Sequence, residues 1–131
     1  MKLNPDCIRD ILLLLEKETD GIKYISYKFD VINLKTDCPL IAKYSVKELY
    51  YHFGQCEANG FFMDIIRTTD VTISVLALSP KAHDFLENIR DNSVWNKTKA
   101  VIKQVGSSSL DVAISIAAET VKKKLSELLI G

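Results

Sequence analysis

The chain has 131 residues, 47% of them hydrophobic and 26% charged, which is too apolar for a disordered segment and long enough for one domain with its own core. Seventeen basic residues balance seventeen acidic ones, so whole-molecule attraction to nucleic acid or an anionic membrane is excluded and any such binding must be local. Three cysteines, Cys7, Cys38 and Cys56, form no CxxC pair, a pattern of free thiols in a reducing compartment rather than of a disulfide framework. No run reaches the ~18 apolar residues of a membrane span, and the first six residues lack the basic-then-apolar order of a signal peptide. The expectation is a single cytoplasmic domain over 1–131 with no membrane contact.

The first element is punctuated at its start. Asn4 serves as N-cap, Pro5 fits the first helical position, Asp6 suits the positive end of the dipole, and Ile8, Ile11, Leu12 and Leu15 repeat at helical spacing. A helix over 5–18 follows. After Gly21, residues 22–29 mix β-branched and aromatic residues with polar ones in partial alternation, which predicts a strand. Asp37 and Pro39 break residues 33–44, where at most a short helical turn fits.

Ser45-Val46-Lys47-Glu48 is a capping box, so a helix starts at 46. It carries Val46, Leu49, Tyr50, Phe53 and Cys56 on one side and stops at Asn59-Gly60. The period then changes to that of a hairpin over 61–78, folded at the polar break Arg67-Thr68-Thr69-Asp70. Ser79-Pro80 opens a helix over 80–90, and Asp91-Asn92-Ser93 closes it and caps the next, over 93–105. The longest helix covers about 109–130. Its seam of Leu110, Ile114, Ala117, Val121, Leu125 and Leu128 is widened by Ala113, Ile116 and Leu129 beyond what one partner helix needs.

Helix, strand, irregular segment, capped helix, hairpin, helix is the order of a winged helix. The fold expectation is therefore α+β, mainly helical, with a winged-helix-like core over 1–91 and two extra helices over 92–131 packed on it. Three stretches carry a further likeness: MKLNPDCIRDILLLLE at the start; residues 45–52 with Cys56-Glu57-Ala58-Asn59-Gly60; and residues 78–91 followed by Val94-Trp95-Asn96-Lys97-Thr98-Lys99. They resemble the phage- and prophage-associated family catalogued as domain of unknown function 2513. The resemblance implies a bacterial or phage cytosolic protein with a winged-helix-like core, and it implies no activity. The chain departs from that pattern at Ala82, where similar junctions have Gly, and in the short region before Ser45, where a regular second helix would belong.

If helix 46–59 reads a major groove, Lys47, Tyr51, Gln55 and Ala58 lie on the face that does so, with Arg67 at the wing. These are the candidate nucleic-acid contacts of a DNA-binding regulator. Charge argues against that reading: residues 1–91 hold eleven basic and fourteen acidic side chains, and 92–131 hold six and three, whereas a duplex binder neutralises several phosphates. The preferred expectation is a non-catalytic protein-interaction or adaptor module that takes a protein partner or a second copy through helix 109–130. Trp95, Ile114, Ala117, Val121, Leu125 and Leu128 are its candidate interface, with Trp95 alternatively covering the junction to helix 80–90.

Enzymatic chemistry lacks a constellation. His52 and Cys56 are four apart on one helix, and Cys38 and His83 would complete a tetrahedral zinc set, but knuckle spacing is missing. The same Cys–His pair lacks an orienting group and an oxyanion-binding turn. Gly106-Ser107-Ser108-Ser109 precedes a helix but has neither the Lys nor the second Gly of a phosphate loop. No catalytic residue, metal or cofactor is expected.

Overall fold

Helix α1 (Pro5–Glu18) begins where the carboxamide of Asn4 accepts the Asp6 N–H, with proline at its first position. It buries Ile8, Ile11, Leu12 and Leu15 on one side, and removing each side chain from water contributes on the order of 1.5–3 kcal/mol. The computed structural model describes residues 1–106 and 109–130. Strand β1 (Ile25–Lys28) is shorter than the expected 22–29. The Asp20 carboxylate accepts the N–H groups of both Ile22 and Lys23, which holds those residues in a turn and delays extension to Ile25.

The broken segment holds more helix than one turn: a short α2 (Leu34–Asp37) and a 3-10 turn (Pro39–Ile41) that buries Ile41 against the core. Helix α3 (Val46–Ala58) starts on the expected capping box, with both reciprocal bonds made. Phe53 and Leu49 are fully buried on its inner side, and Phe53 meets the rings of Tyr27 in β1 and of Phe29 just after it. Strands β2 (Phe62–Arg67) and β3 (Thr72–Leu78) form the hairpin, and β1 adds to it antiparallel, giving the sheet order β1-β3-β2.

A local departure in β2 decides where the hairpin's side chains point. The ladder pairs Met63 with Ala77 and Ile65 with Val75 but skips Asp64, whose φ is +62°. Asp64 holds this turn by accepting its neighbour's Ile65 N–H and the hydroxyl of Tyr24. The inward residues of β2 are therefore Phe62 and Ile65, three apart, instead of the two-residue period of a regular strand. Arg67, two beyond Ile65, falls on the inward side as a result.

Helices α4 (Pro80–Ile89), α5 (Asn92–Val105) and α6 (Leu110–Ile130) complete the described chain, which is α+β with six α-helices and one three-stranded sheet among the described residues. Arg9 of α1 binds α4 by donating to the carbonyls of Ile89 and Arg90, two of the orphan acceptors at a helix end. Arg90 returns a bidentate pair to Glu16. Through Ile102, Leu110, Ala113 and Ala117, the last two helices join the same apolar core as α1 and the sheet.

Candidate functional site

Lys47, Tyr51, Gln55 and Arg67, the candidate nucleic-acid contacts, all line one groove between α3 and the hairpin tip, of about 550 Å³. Its floor is apolar and aromatic: Val46, Tyr50, the edge of Phe29, and Val71 of the turn. The Phe29 and Tyr50 rings meet edge to face at 5.4 Å, the arrangement that suits their quadrupoles. Ala58 is exposed further along α3 and does not line it.

Arg67 does not stand free at the wing. Its Nε donates to Glu57 Oε1 at 2.5 Å and its Nη1 to the Tyr50 hydroxyl at 3.0 Å, while the guanidinium carbon lies 5.4 Å from the Tyr50 ring centre. Burial draws its pKa down, but the hydrogen bond and charge of Glu57, helped by Tyr50, outweigh this and raise it. The cation intended for a phosphate is thus held intramolecularly by a carboxylate, because the skipped residue Asp64 turned it toward α3. Its Nη2 lies over Gly54, where an added Cβ would stand 3.2 Å away. The sequence pattern places Tyr50 only on the apolar side of this helix and gives Glu57 and Gly54 no role in a site. An isolated glycine in mid-helix was the available signal, since glycine there costs about 1 kcal/mol relative to alanine unless close packing uses it.

The candidate interface residues separate into two groups. Trp95 is buried: its Nε1 donates to Asp6 Oδ1 at 2.8 Å, and Arg9 and Lys99 flank the ring at 5.8 and 5.7 Å. It therefore fastens α5 to the start of α1 and offers no outer surface, a correction to its interface assignment. Ala117 is likewise fully buried, and Ile114 is half-buried against the core, because this half of the α6 seam closes the monomer over α4 and α5. Val121 is intermediate. Beyond it the seam emerges into solvent, with Leu125, Leu128, Leu129 and Ile130 exposed by 54, 72, 78 and 86%.

His52 and Cys56 have structural surroundings. Both His52 ring nitrogens are engaged, Nε2 accepting the Asn4 N–H at 2.8 Å and Nδ1 donating to the Glu48 carbonyl at 2.6 Å. Burial, with a smaller contribution from Cys7, pushes the Cys56 thiol far up. That combination supplies neither a general base nor a thiolate. Among the described residues, no three His, Cys, Asp or Glu side chains are gathered as a metal-holding group, so His52, Cys56, Cys38 and His83 do not form one. Of the Gly106–Ser109 loop, Ser107 and Ser108 lie outside the described residues.

No helix among the described residues is long and apolar enough to cross a membrane. The family model described as a hypothetical protein, DUF2513, matches residues 2–109. An uncharacterized protein of Haemophilus influenzae is 27% identical over 131 residues, covering 98% of this chain and 99% of that protein. No solved structure matches the chain significantly.

Proposed function

The chain belongs to the DUF2513 family, and we propose that it is a non-catalytic interaction module on a winged-helix-like core, which pairs with a second copy of itself through the distal half of α6. The carrying observation is the run of Leu125, Leu128, Leu129 and Ile130, all exposed on a helix whose first half buries Leu110, Ala113 and Ala117. An apolar cluster of this kind at a helix end favours removal from water by association. A self-complementary arrangement is available to it: with two α6 helices antiparallel and Leu125 at the two-fold axis, Val121 opposes Leu129 on the same face.

The winged-helix reading is supported by the element order and by a sheet ordered β1-β3-β2 with the hairpin at its edge. A bacterial prophage setting is supported by the resemblance of the three sequence stretches quoted above, and a cytoplasmic location by three buried free thiols. Light scattering on the purified protein tests the pairing. The expected result is a dimer that Leu125→Ser with Leu129→Ser converts to a folded monomer. Both positions are exposed, whereas Ile114 of the same seam is half-buried against the core, where a substitution would disturb packing. A monomeric parent protein at high micromolar concentration overturns the proposal.

A DNA-binding regulator is the second reading, favoured by the alignment of Lys47, Tyr51 and Gln55 along the groove side of α3. It predicts a duplex complex that Lys47→Ala weakens and that loses orders of magnitude in affinity between ~50 and ~200 mM salt. With Arg67 committed to Glu57, that helix face keeps few cations for phosphates, which is why self-association is preferred.

A further inference from the structure

We propose that the groove between α3 and the hairpin tip is a binding site for a small aromatic carboxylate, with the anion on the Nη2 edge of Arg67 beside Lys47 and the ring on the apolar floor.

The argument begins with Arg67. Its Nε is held by Glu57 and its Nη1 by Tyr50, which orients the guanidinium and leaves the Nη2 donors to the groove. Pre-orientation matters, because a long side chain fixed beforehand loses little rotamer freedom when a ligand binds. Gly54 keeps that edge open: any side chain there would crowd Nη2, starting with a Cβ at 3.2 Å. Lys47 is exposed and belongs to no ion pair among the described residues. With Glu57 balancing Arg67, the three side chains carry one net positive charge, matching a monoanion.

The remaining lining selects the body of the ligand. Val46, Tyr50, Phe29 and Val71 are apolar or aromatic, and about 550 Å³ lies within the range of small-molecule sites. Val71 adds an independent sign. It has φ +58°, a conformation that a β-branched residue avoids at a cost of about 1–2 kcal/mol. It closes the three-residue turn between Thr68 and Thr72, where glycine or asparagine ordinarily sits. The strained residue presents its isopropyl group to the groove, and strain of this kind concentrates at ligand contacts. This proposal is independent of self-association through α6.

Amide NMR titrations with three probes test it: 2-naphthoate, the neutral 2-naphthalenemethanol, and acetate. The expected result is saturable shifts from 2-naphthoate at Lys47, Gly54, Gln55 and Arg67, with each of the other probes at least about tenfold weaker. Arg67→Gln, Lys47→Gln and Gly54→Leu should each weaken 2-naphthoate binding while the spectrum stays dispersed. If Arg67→Gln fails to fold, the other two variants decide. Equal response to all three probes, shifts confined to Leu125–Ile130, or 2-naphthoate binding unchanged in Lys47→Gln and Gly54→Leu would each overturn the proposal.

Discussion

His52, buried in the middle of α3, accepts the backbone N–H of Asn4 at 2.8 Å across 48 residues of sequence. Asn4 is the N-cap of α1, and its own N–H precedes the helix and has no intrahelical acceptor. One imidazole therefore ties the start of α1 to α3 and, through Nδ1, returns a bond to the Glu48 carbonyl of its own helix. Removing the ring leaves a cavity and an unsatisfied Asn4 N–H, while the Glu48 carbonyl keeps its bond within α3. His52→Ala is expected to lower unfolding free energy by about 2–4 kcal/mol. Asn4→Gly, which keeps the N–H that His52 holds, should cost only a few tenths of a kcal/mol. Urea unfolding of both variants checks the pair, and equal losses would contradict it.

Val71→Asn is expected to stabilise the protein. Asparagine tolerates the left-handed conformation that Val71 is forced to adopt at φ +58°, and the lost packing is limited because Val71 is more than a third exposed. A gain of roughly 0.5–1 kcal/mol follows, read as a higher urea midpoint with an unchanged slope. A drop in midpoint would show that the apolar contacts of Val71 outweigh its strain.

Acid sensitivity follows from two carboxylates of α1. Burial pushes Asp6 up, but hydrogen bonds from Trp95 and Lys99 and the charges of Lys99 and Lys43 outweigh it and hold the carboxyl below its ordinary range. Hydrogen bonds from Arg90 do the same for Glu16. A depressed folded-state value gives stability that is fully present above the unfolded carboxyl pKa of about 4 and is lost as pH falls through the folded one. The urea midpoint should be level from about pH 6 to 5 and fall below about 4. Because Asp6 is nearly half exposed, Asp6→Asn should reduce that fall only modestly, by about 1 kcal/mol or less.

The three thiols should be silent in the folded protein. Burial, reinforced by Glu48 and Asp10, pushes Cys7 up to about 12. Burial also raises Cys56 and Cys38, the latter with help from Glu18 and Asp37. Reaction requires thiolate and access, so a thiol reagent at pH 8 should label none of the three quickly and all three in urea. Rapid labelling of one cysteine under native conditions would contradict the packing around it.

Local signals were legible in the sequence because each is made within about four residues. The Asn4 cap, the Ser45–Glu48 box, the Ser79-Pro80 start and the Asp91 cap bond their own helix's first N–H groups, and Gly60 and Gly106 take the left-handed endings. The helices, the hairpin and the α+β class followed from these signals and from the period of the apolar residues. What Arg67, Trp95 and α6 do was decided by tertiary structure. One residue of reversed φ at Asp64 inverts the facing of everything beyond it in β2, which turns Arg67 from solvent onto Glu57. Trp95 meets Asp6 across 89 residues, a separation at which spacing carries no information. The seam of α6 has one continuous pattern in sequence, yet its first half is core and its second half surface. Only the extent of the body beneath it, set by where α4 and α5 lie, determines the residue at which burial ends.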